Sequence, residues 1–280
     1  SRDDFDVRRI TLWCCVSADQ SMVKQLGNGR PALLLHSSMS SHRQWLSLAS
    51  ELSATHSCYL PDLAGYGGRP LPPPEPWSLA IEAEMVLSAL SPALRQQPLD
   101  LIGHSYGGAL ALHLARSEKL QVNKLVLFEP VAFHLLRQLP DATGLWQEIC
   151  ALANVLPTLS ASAAAARFID FWQQDGFFAS LPLRMQQQLA GQVAKVSCDF
   201  QALSQEPASL ADYAASVQCP VLLISGCRSR APAQRIAQAL SEALVQAELL
   251  TLDVGHMGPV TDAKVVNPPI LRFLSNNKAA

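Results

Sequence analysis

The chain has 280 residues, of which 49% are hydrophobic and 16% charged, and its formal net charge is −2 at pH 7. This size and composition suit one large α/β domain with a full core and room for an insertion. The small net charge and the lack of Lys/Arg runs exclude nucleic acid and anionic membrane surfaces as expected partners. No apolar stretch approaches the roughly 18–20 residues that a membrane-spanning helix needs. The polar, acidic start at residues 1–4 does not have the pattern of a signal peptide.

Seven cysteines are distributed along the chain without a metal-binding spacing. Their odd number and their positions in apolar runs predict reduced, structural thiols. We therefore expect a cytoplasmic protein that uses no metal and no cofactor. The sequence does not distinguish a monomer from a homodimer. The cysteines are Cys14, Cys15, Cys58, Cys150, Cys198, Cys219 and Cys227.

Short apolar runs alternate with helical patterns along much of the chain, which predicts a mostly parallel central sheet flanked by helices. In such sheets the ligand site lies at the carboxyl ends of the strands. The final helical pattern contains Pro268 and Pro269, so we expect it to break there and to restart near Ile270. The predicted strands lie at 33–35, 58–60, 99–102, 125–128, 221–224 and 249–252.

Residues 133–217 interrupt this alternation because they contain no convincing strand and are rich in alanine, leucine and glutamine. We interpret them as a helical cap inserted into a core domain formed by 1–132 and 218–280. Aromatic residues of this segment either pack the cap on the core or, as a group, form an apolar pocket wall. Trp146, Phe171 and Trp172 are candidates for that wall.

The most informative segment is G-H-S-Y-G at Gly103–Gly107, which follows an apolar strand pattern and precedes an alanine-rich helical pattern. Strand, sharp turn and helix in this order are typical of a nucleophile elbow, which lifts a serine hydroxyl above the end of a parallel sheet. Ser105 is therefore the candidate nucleophile. The backbone N–H of Tyr106, directly after it, is a candidate oxyanion-hole donor.

A serine nucleophile needs a base within hydrogen-bond distance and an acid that orients the base. His256 lies in a glycine-flanked loop after the last predicted strand and is the only histidine late in the chain. It is the candidate base. The neighbouring Met257 and the elbow residue His104 are candidates for the pocket.

Four segments together resemble the α/β-hydrolase superfamily, in particular its serine esterase-like members with a helical cap. They are the H-S-S loop at 36–38, D-L-A-G-Y-G at 62–67, G-H-S-Y-G-G at 103–108 and G-H-M-G at 255–258. The resemblance covers about residues 30 to 275. It implies that the amide of Ser38 is the second oxyanion donor, with Ser37 replacing the usual glycine beside the pocket.

The sequence departs from the superfamily at the triad acid. Most members carry an Asp three positions beyond a glycine in the loop after the post-cap strand, and Ser229 stands at that position here. A minority carries the acid after the strand that follows the elbow helix, where this chain has Glu129. We expect Glu129 to orient His256, and the rival acids are Asp253, Asp262 and Asp199.

These residues predict a cofactor-independent serine hydrolase that cleaves a carboxylic ester or a related acyl substrate through an acyl-enzyme. Two alternatives remain open at this stage. The same triad serves acyl transfer, thioester cleavage, lactone opening or a biosynthetic lyase or cyclase reaction, since function depends on the site and not on the scaffold. The other alternative is a ligand-binding protein with an idle triad.

Overall fold

The computed structural model describes residues 23–71 and 76–276. Their centre is a seven-stranded sheet in the order β1-β3-β2-β4-β5-β6-β7. Neighbouring strands are parallel except β1, which is antiparallel to β3. The prediction of a mostly parallel sheet flanked by helices is confirmed. The strands are β1 (Val23–Leu26), β2 (Arg30–Leu35), β3 (His56–Pro61), β4 (Leu99–His104), β5 (Val122–Phe128), β6 (Val221–Gly226) and β7 (Ala247–Leu252).

Thirteen α-helices lie in the described residues, and four short 3-10 helices accompany them. Six of the α-helices, α5 to α10, lie between β5 and β6, and residues 129–220, all of them described, contain no strand. The helices are α1 (Leu46–Leu52), α2 (Leu79–Ala89), α3 (Pro92–Arg95), α4 (Tyr106–Arg116), α5 (Thr143–Val155), α6 (Ala161–Trp172), α7 (Phe177–Ser180), α8 (Leu183–Ala190), α9 (Val193–Gln205), α10 (Leu210–Ser216), α11 (Ala231–Ala243), α12 (Gly258–Thr261) and α13 (Ala263–Ser275). The 3-10 helices are His42–Trp45, Phe133–Gln138, Pro140–Ala142 and Leu156–Thr158.

Both faces of the sheet are covered at its centre, which explains why inner strands such as β4 and β6 are buried along their whole length. Successive side chains of a strand point to opposite faces. Leu33 and Leu35 accordingly join one hydrophobic cluster, whereas Leu34 and Ile102 join the other. All six residues of β4 are buried. The strand that leads to Ser105 is thus held firmly on both sides.

The expected break in the last helix is wrong, since α13 runs through Pro268 and Pro269 without interruption. Because proline has no N–H, only the carbonyls of residues 264 and 265 lose their hydrogen-bond donors. Both carbonyls lie near the start of the helix. Val266, Ile270 and Leu274 are fully buried against the sheet. Their packing on both sides of the prolines holds the two halves on one axis.

The expectations about membrane-spanning helices, metal sites and cysteines can be compared with the structure only for the described residues. Within 23–71 and 76–276 no helix is long and apolar enough to cross a membrane. In the same ranges no three His, Cys, Asp or Glu side chains are grouped so that they can hold a metal ion. Cys58, Cys150, Cys198, Cys219 and Cys227 are free thiols. The expectations for Cys14, Cys15 and residues 1–4 lie outside the described residues.

Two buried histidines are kept neutral by the fold. Burial lowers the pKa of His36 and of His134 from 6.5 to about 4. His36 uses both ring nitrogens, because Nδ1–H donates to the carbonyl of Ser37 at 2.8 Å and Nε2 accepts from the amide of Leu63 at 2.9 Å. His134 Nε2 accepts from the Tyr213 hydroxyl at 3.2 Å.

These histidines predict a loss of stability in mild acid. Each one binds its proton near pH 6.5 in the unfolded chain but only near pH 4 in the folded protein, so the free energy of unfolding falls as pH drops through this window. One such histidine contributes a loss of about 2.5 kcal/mol between pH 7.5 and 4.5. Urea titrations at the two pH values measure the decrease in the free energy of unfolding. In His134→Gln this decrease should be smaller than in the native protein by that amount. An unchanged decrease contradicts the assignment.

Candidate active site

Ser105 occupies a strained turn between β4 and α4. Its φ of 55° and ψ of −119° lie in a region that non-glycine residues rarely adopt. A Cβ at Gly103 would come within 2.3 Å of the Gly107 carbonyl oxygen, and a Cβ at Gly107 within 2.3 Å of the His36 carbonyl oxygen. Only glycine permits this approach of strand, helix and β2 loop. The turn thus presents the serine at the carboxyl end of the sheet.

Three side chains from three strand ends form a hydrogen-bonded relay. Ser105 Oγ lies 2.9 Å from His256 Nε2, and His256 Nδ1 lies 2.5 Å from Glu129 Oε2. A carboxylate only accepts, so Nδ1–H donates to Glu129 and Nε2 accepts from the serine hydroxyl. All three residues are buried. The residues predicted as nucleophile, base and acid are therefore brought together in the order that proton transfer requires.

Glu129 is held by donors from the loop after β6, where the superfamily usually has its acid. The Gly226 amide donates to Oε1 at 2.8 Å, and the Ser225 hydroxyl lies 3.3 Å from the same oxygen. The Ser229 hydroxyl donates to Oε2 at 2.6 Å. Glu129 itself has a strained φ of 42°. Ser229, at the position where the superfamily pattern has an acid, thus supports the Glu129 carboxylate, a contact that the sequence pattern did not reveal.

The rival acids have other partners. Asp253 is exposed and pairs with Arg228 at 3.0 Å. Asp262 precedes α13 and accepts from the Thr261 hydroxyl at 2.6 Å. Asp199 is buried, pairs with Lys195 and accepts from the Ser38 hydroxyl at 2.6 Å. None of these three is among the hydrogen-bond or ion-pair partners found for His256 in the described residues.

His104 and Trp172 fix the position of His256. His104 Nε2–H donates to the backbone carbonyl of His256 at 2.8 Å, and its Nδ1 accepts from the Gln44 amide at 3.0 Å. Burial holds the pKa of His104 well below its ordinary value, so this support is neutral. Trp172 stacks on the His256 imidazole, with ring centroids 4.1 Å apart. The imidazole is therefore fixed in orientation and shielded from water on one face.

The amides of the two predicted oxyanion donors, Tyr106 and Ser38, lie in different local structures. Tyr106 is the first residue of α4, where no preceding helical turn supplies an acceptor for its N–H. In the β2 loop, which is formed by residues 36–41, the amide and the hydroxyl of Ser37 both donate to Gln44 Oε1. Ser38, the next residue, borders the same cavities as Ser105. This arrangement fits the assignment of Ser38 and not Ser37 as the donor.

A buried ionic cluster lies directly behind both donors. Lys195 of α9 contacts Asp199, one turn later on its helix, and Glu82 of α2 at 2.9 Å. The Ser38 hydroxyl donates to Asp199 at 2.6 Å, and the Tyr106 hydroxyl donates to Glu82 at 3.0 Å. The cluster therefore links the side chains of both predicted oxyanion residues to the helices between β5 and β6.

Lys195 is protonated despite complete burial. Burial alone lowers its pKa, but the Asp199 and Glu82 carboxylates outweigh that effect and hold the pKa above its ordinary value. The ammonium also lies over the rings of Tyr66, Trp77 and Tyr106, with the nearest centroid at 4.6 Å. Such a site stabilises a cation that has lost its water. Sequence reasoning missed Lys195 because its segment carries no motif.

Two cavities lined by residues of 23–71 and 76–276 border Ser105. The smaller, about 10 Å³ in volume, reaches inward beneath α9. The larger, about 230 Å³, extends between α6, α8 and α12. Both cavities meet at Ser105, because they share the lining residues Ser38, Ser105, Phe168 and Trp172.

The predicted pocket residues divide into two groups. Ser37, Trp172 and Met257 line the larger cavity. His104, Trp146 and Phe171 line neither cavity, so that prediction is corrected. His104 lies behind the base, Trp146 stacks under Arg137, and Phe171 packs between Trp172 and the Arg230 guanidinium. Aromatic content identified the segment but not the direction of each side chain.

Comparisons with known proteins identify the family and the fold. A family model described as alpha/beta hydrolase family matches residues 32–268. The lipase LipV of Mycobacterium tuberculosis is 36% identical over 113 residues, which cover 39% of this chain and 41% of that protein. The 2-hydroxymuconate semialdehyde hydrolase of Pseudomonas putida is 34% identical over 134 residues, or 46% of each chain. The chain thus spans less than half the length of these curated relatives.

A structural comparison extends over nearly the whole chain. The crystal structure of a hydrolase from Pseudomonas aeruginosa matches with a TM-score of 0.72 and 23% identity, covering 91% of this chain and 94% of that one. At this identity the match shows the fold alone. The family model, in contrast, covers most of the chain and includes the strand ends that carry the relay. The chain belongs to the alpha/beta hydrolase family.

Proposed function

We propose that the chain is a serine hydrolase that cleaves a carboxylic ester through a Ser-Glu-His triad and an acyl-enzyme. The observation that carries this proposal is the buried relay from Glu129 through His256 to Ser105, with separations of 2.5 and 2.9 Å. The strained turn at Ser105 supports it, because rare backbone conformations concentrate at functional sites. The names of the relatives, a lipase and a semialdehyde hydrolase, support hydrolysis as the general reaction.

In the acylation step Ser105 Oγ attacks the ester carbonyl carbon while His256 Nε2 takes the hydroxyl proton. The negative charge that develops on the carbonyl oxygen is stabilised by the amides of Ser38 and Tyr106. Glu129 holds the neutral imidazole in the tautomer that carries its proton on Nδ1, and it then stabilises the imidazolium. His256 then gives its proton to the alcohol oxygen as the carbon–oxygen bond breaks.

In the deacylation step a water molecule attacks the acyl-enzyme. His256 takes one proton of this water and returns it to Ser105 as the acyl–serine bond breaks. The products are a carboxylic acid and an alcohol, and no redox partner is needed. Residues 133–217 act as a cap in this proposal, since Phe168 and Trp172 from this segment line both cavities at the serine.

Replacement of the nucleophile should abolish the reaction. Ser105→Ala removes the only group that forms the acyl-enzyme, so we expect kcat on short-chain nitrophenyl esters to fall by about 10⁴- to 10⁶-fold. A fluorophosphonate should label the unmodified protein and not the variant, as intact mass spectrometry will show. Full activity in Ser105→Ala contradicts the proposed function, and an unlabelled native protein indicates an idle serine.

Replacement of the acid distinguishes the proposed triad from its rival. Glu129→Gln keeps the size of the side chain but removes the charge that stabilises the imidazolium, so kcat should fall by about 10³- to 10⁴-fold. The matched control is Asp253→Asn, which removes an exposed carboxylate that pairs with Arg228 and should leave kcat within about twofold. The reverse result assigns the acid to Asp253.

The ionic cluster of Lys195, Asp199 and Glu82 predicts that loss of its contact with Ser38 lowers kcat without changing KM. Ser38→Ala keeps the backbone amide but loses the 2.6 Å hydrogen bond to Asp199, so kcat should fall by about 5- to 20-fold while KM changes little. Tyr66→Phe is the control, because it also removes a hydrogen bond to Asp199, at 2.5 Å, from a residue that contributes no oxyanion amide. Equal kinetic losses in both variants assign the effect to general stability.

A further inference from the structure

The two cavities at Ser105 differ in volume by more than an order of magnitude, about 10 against 230 Å³. An ester has two substituents at its reacting centre, the acyl chain and the alcohol. Each needs its own space once the carbonyl carbon is held by the serine. The unequal cavities therefore impose an unequal substrate, provided that the proposed serine mechanism holds.

The position of the base determines which substituent enters which cavity. His256 and Met257 line the larger cavity, and neither is among the residues that line the smaller one. The base must deliver its proton to the alcohol oxygen, so that oxygen lies within hydrogen-bond distance of Nε2. The alcohol consequently extends into the larger cavity. The acyl chain, on the other side of the carbonyl carbon, points into the smaller one.

The smaller cavity admits only a very small acyl group. Its volume is near the lower limit for one water molecule, which matches an acyl chain of about one or two carbons. Buried apolar side chains close it on most sides. These are Val131, Phe133, Val196, Phe200 and Leu203. Asp199 also borders it, but its two oxygens already bind Lys195, Ser38 and Tyr66.

The larger cavity favours a neutral, apolar alcohol. Among the described residues that line it there is no Asp, Glu, Lys or Arg. A cavity of 150 Å³ lined by aliphatic and aromatic side chains holds benzene, so 230 Å³ holds a group of about six to ten carbons. Met185 and Val260 line it at 48% and 50% exposure, so its mouth is open to solvent and apolar. Met39, Met185 and Met257 provide an adaptable lining.

We propose that this hydrolase is selective for esters that join a short acyl group of the acetyl class to a neutral, apolar alcohol of about six to ten carbons. Water and the ester give the short carboxylic acid and the free alcohol. The serine–carbonyl bond forms as the carbon–alcohol bond breaks, and the serine proton leaves on the alcohol. This selectivity rests on the proposed function and specifies its substrate class.

Constitutional isomers test the orientation without changing hydrophobicity. Hexyl acetate and ethyl hexanoate have the same formula, but ethyl hexanoate requires its long chain in the smaller cavity. One methylene in an apolar pocket changes kcat/KM by about 10-fold or more, so hexyl acetate should be preferred at least tenfold in a pH-stat assay of the native protein. Equal rates, or faster cleavage of ethyl hexanoate, overturn the proposal.

Matched leucine variants test the assignment of each cavity. Leu203 lines only the smaller cavity and Leu189 only the larger one. Leu203→Ala should raise the kcat/KM ratio of hexyl butanoate to hexyl acetate at least fivefold, and Leu189→Ala should leave this ratio within twofold. Val131→Ala is a second enlargement of the smaller cavity, used if Leu203→Ala does not fold. An unchanged ratio in the enlarged variants overturns the proposal.

Fluorophosphonate labelling separates a failure of this inference from a failure of the proposed function. A labelled Ser105 in a protein that prefers ethyl hexanoate, or that cleaves neither isomer, overturns the substrate class and leaves the serine mechanism standing. An unlabelled serine together with no cleavage of either isomer overturns both.

Discussion

Lys195 is a positive charge in the interior of the protein, and the arrangement of the site depends on how that charge is neutralised. It lies between Glu82 and Asp199, which in turn accept hydrogen bonds from Tyr106 and Ser38. Loss of Lys195 would leave two buried carboxylates without a cation, at a cost of about 3–5 kcal/mol. The cost of separating these groups therefore holds α9 against the β2 loop and the start of α4. The same contacts therefore stabilise the fold and position Ser38 and Tyr106, the two predicted oxyanion residues.

Backbone strain is concentrated where the chain must turn sharply to bring reactive groups together. Four non-glycine residues in the described ranges have positive φ, and Met39, Ser105 and Glu129 among them border the site. Each such residue costs on the order of 1–3 kcal/mol. Backbone hydrogen bonds to neighbouring strands offset this cost. The Ser105 amide bonds to the Phe128 carbonyl at 3.0 Å, and the Glu129 amide bonds to the Ile224 carbonyl at 2.9 Å. Neighbouring strand ends thus hold each other in strained conformations.

The inner strands of the sheet were predictable from sequence. A strand that is buried on both faces needs apolar side chains at successive positions, and these form a recognisable apolar run. The elbow was predictable because only glycine tolerates the contacts at Gly103 and Gly107. The edge strand β1 was not, since its four residues are half exposed and carry no apolar run. Side-chain direction was the other limit: Phe171 and Trp172 are adjacent in sequence, yet only Trp172 lines the cavities. Long-range ion pairs such as Lys195–Glu82 leave no local pattern at all.

Ser229 stands at the position where the superfamily pattern led us to expect an acid, and it donates a hydrogen bond to Glu129. The two positions therefore form one electrostatic unit that accommodates a single negative charge. An aspartate at Ser229 would bring a second carboxylate against Glu129, and one of the two would have to take up a proton. An aspartate at position 229 is therefore compatible with this site only if Glu129 is replaced by a neutral residue at the same time.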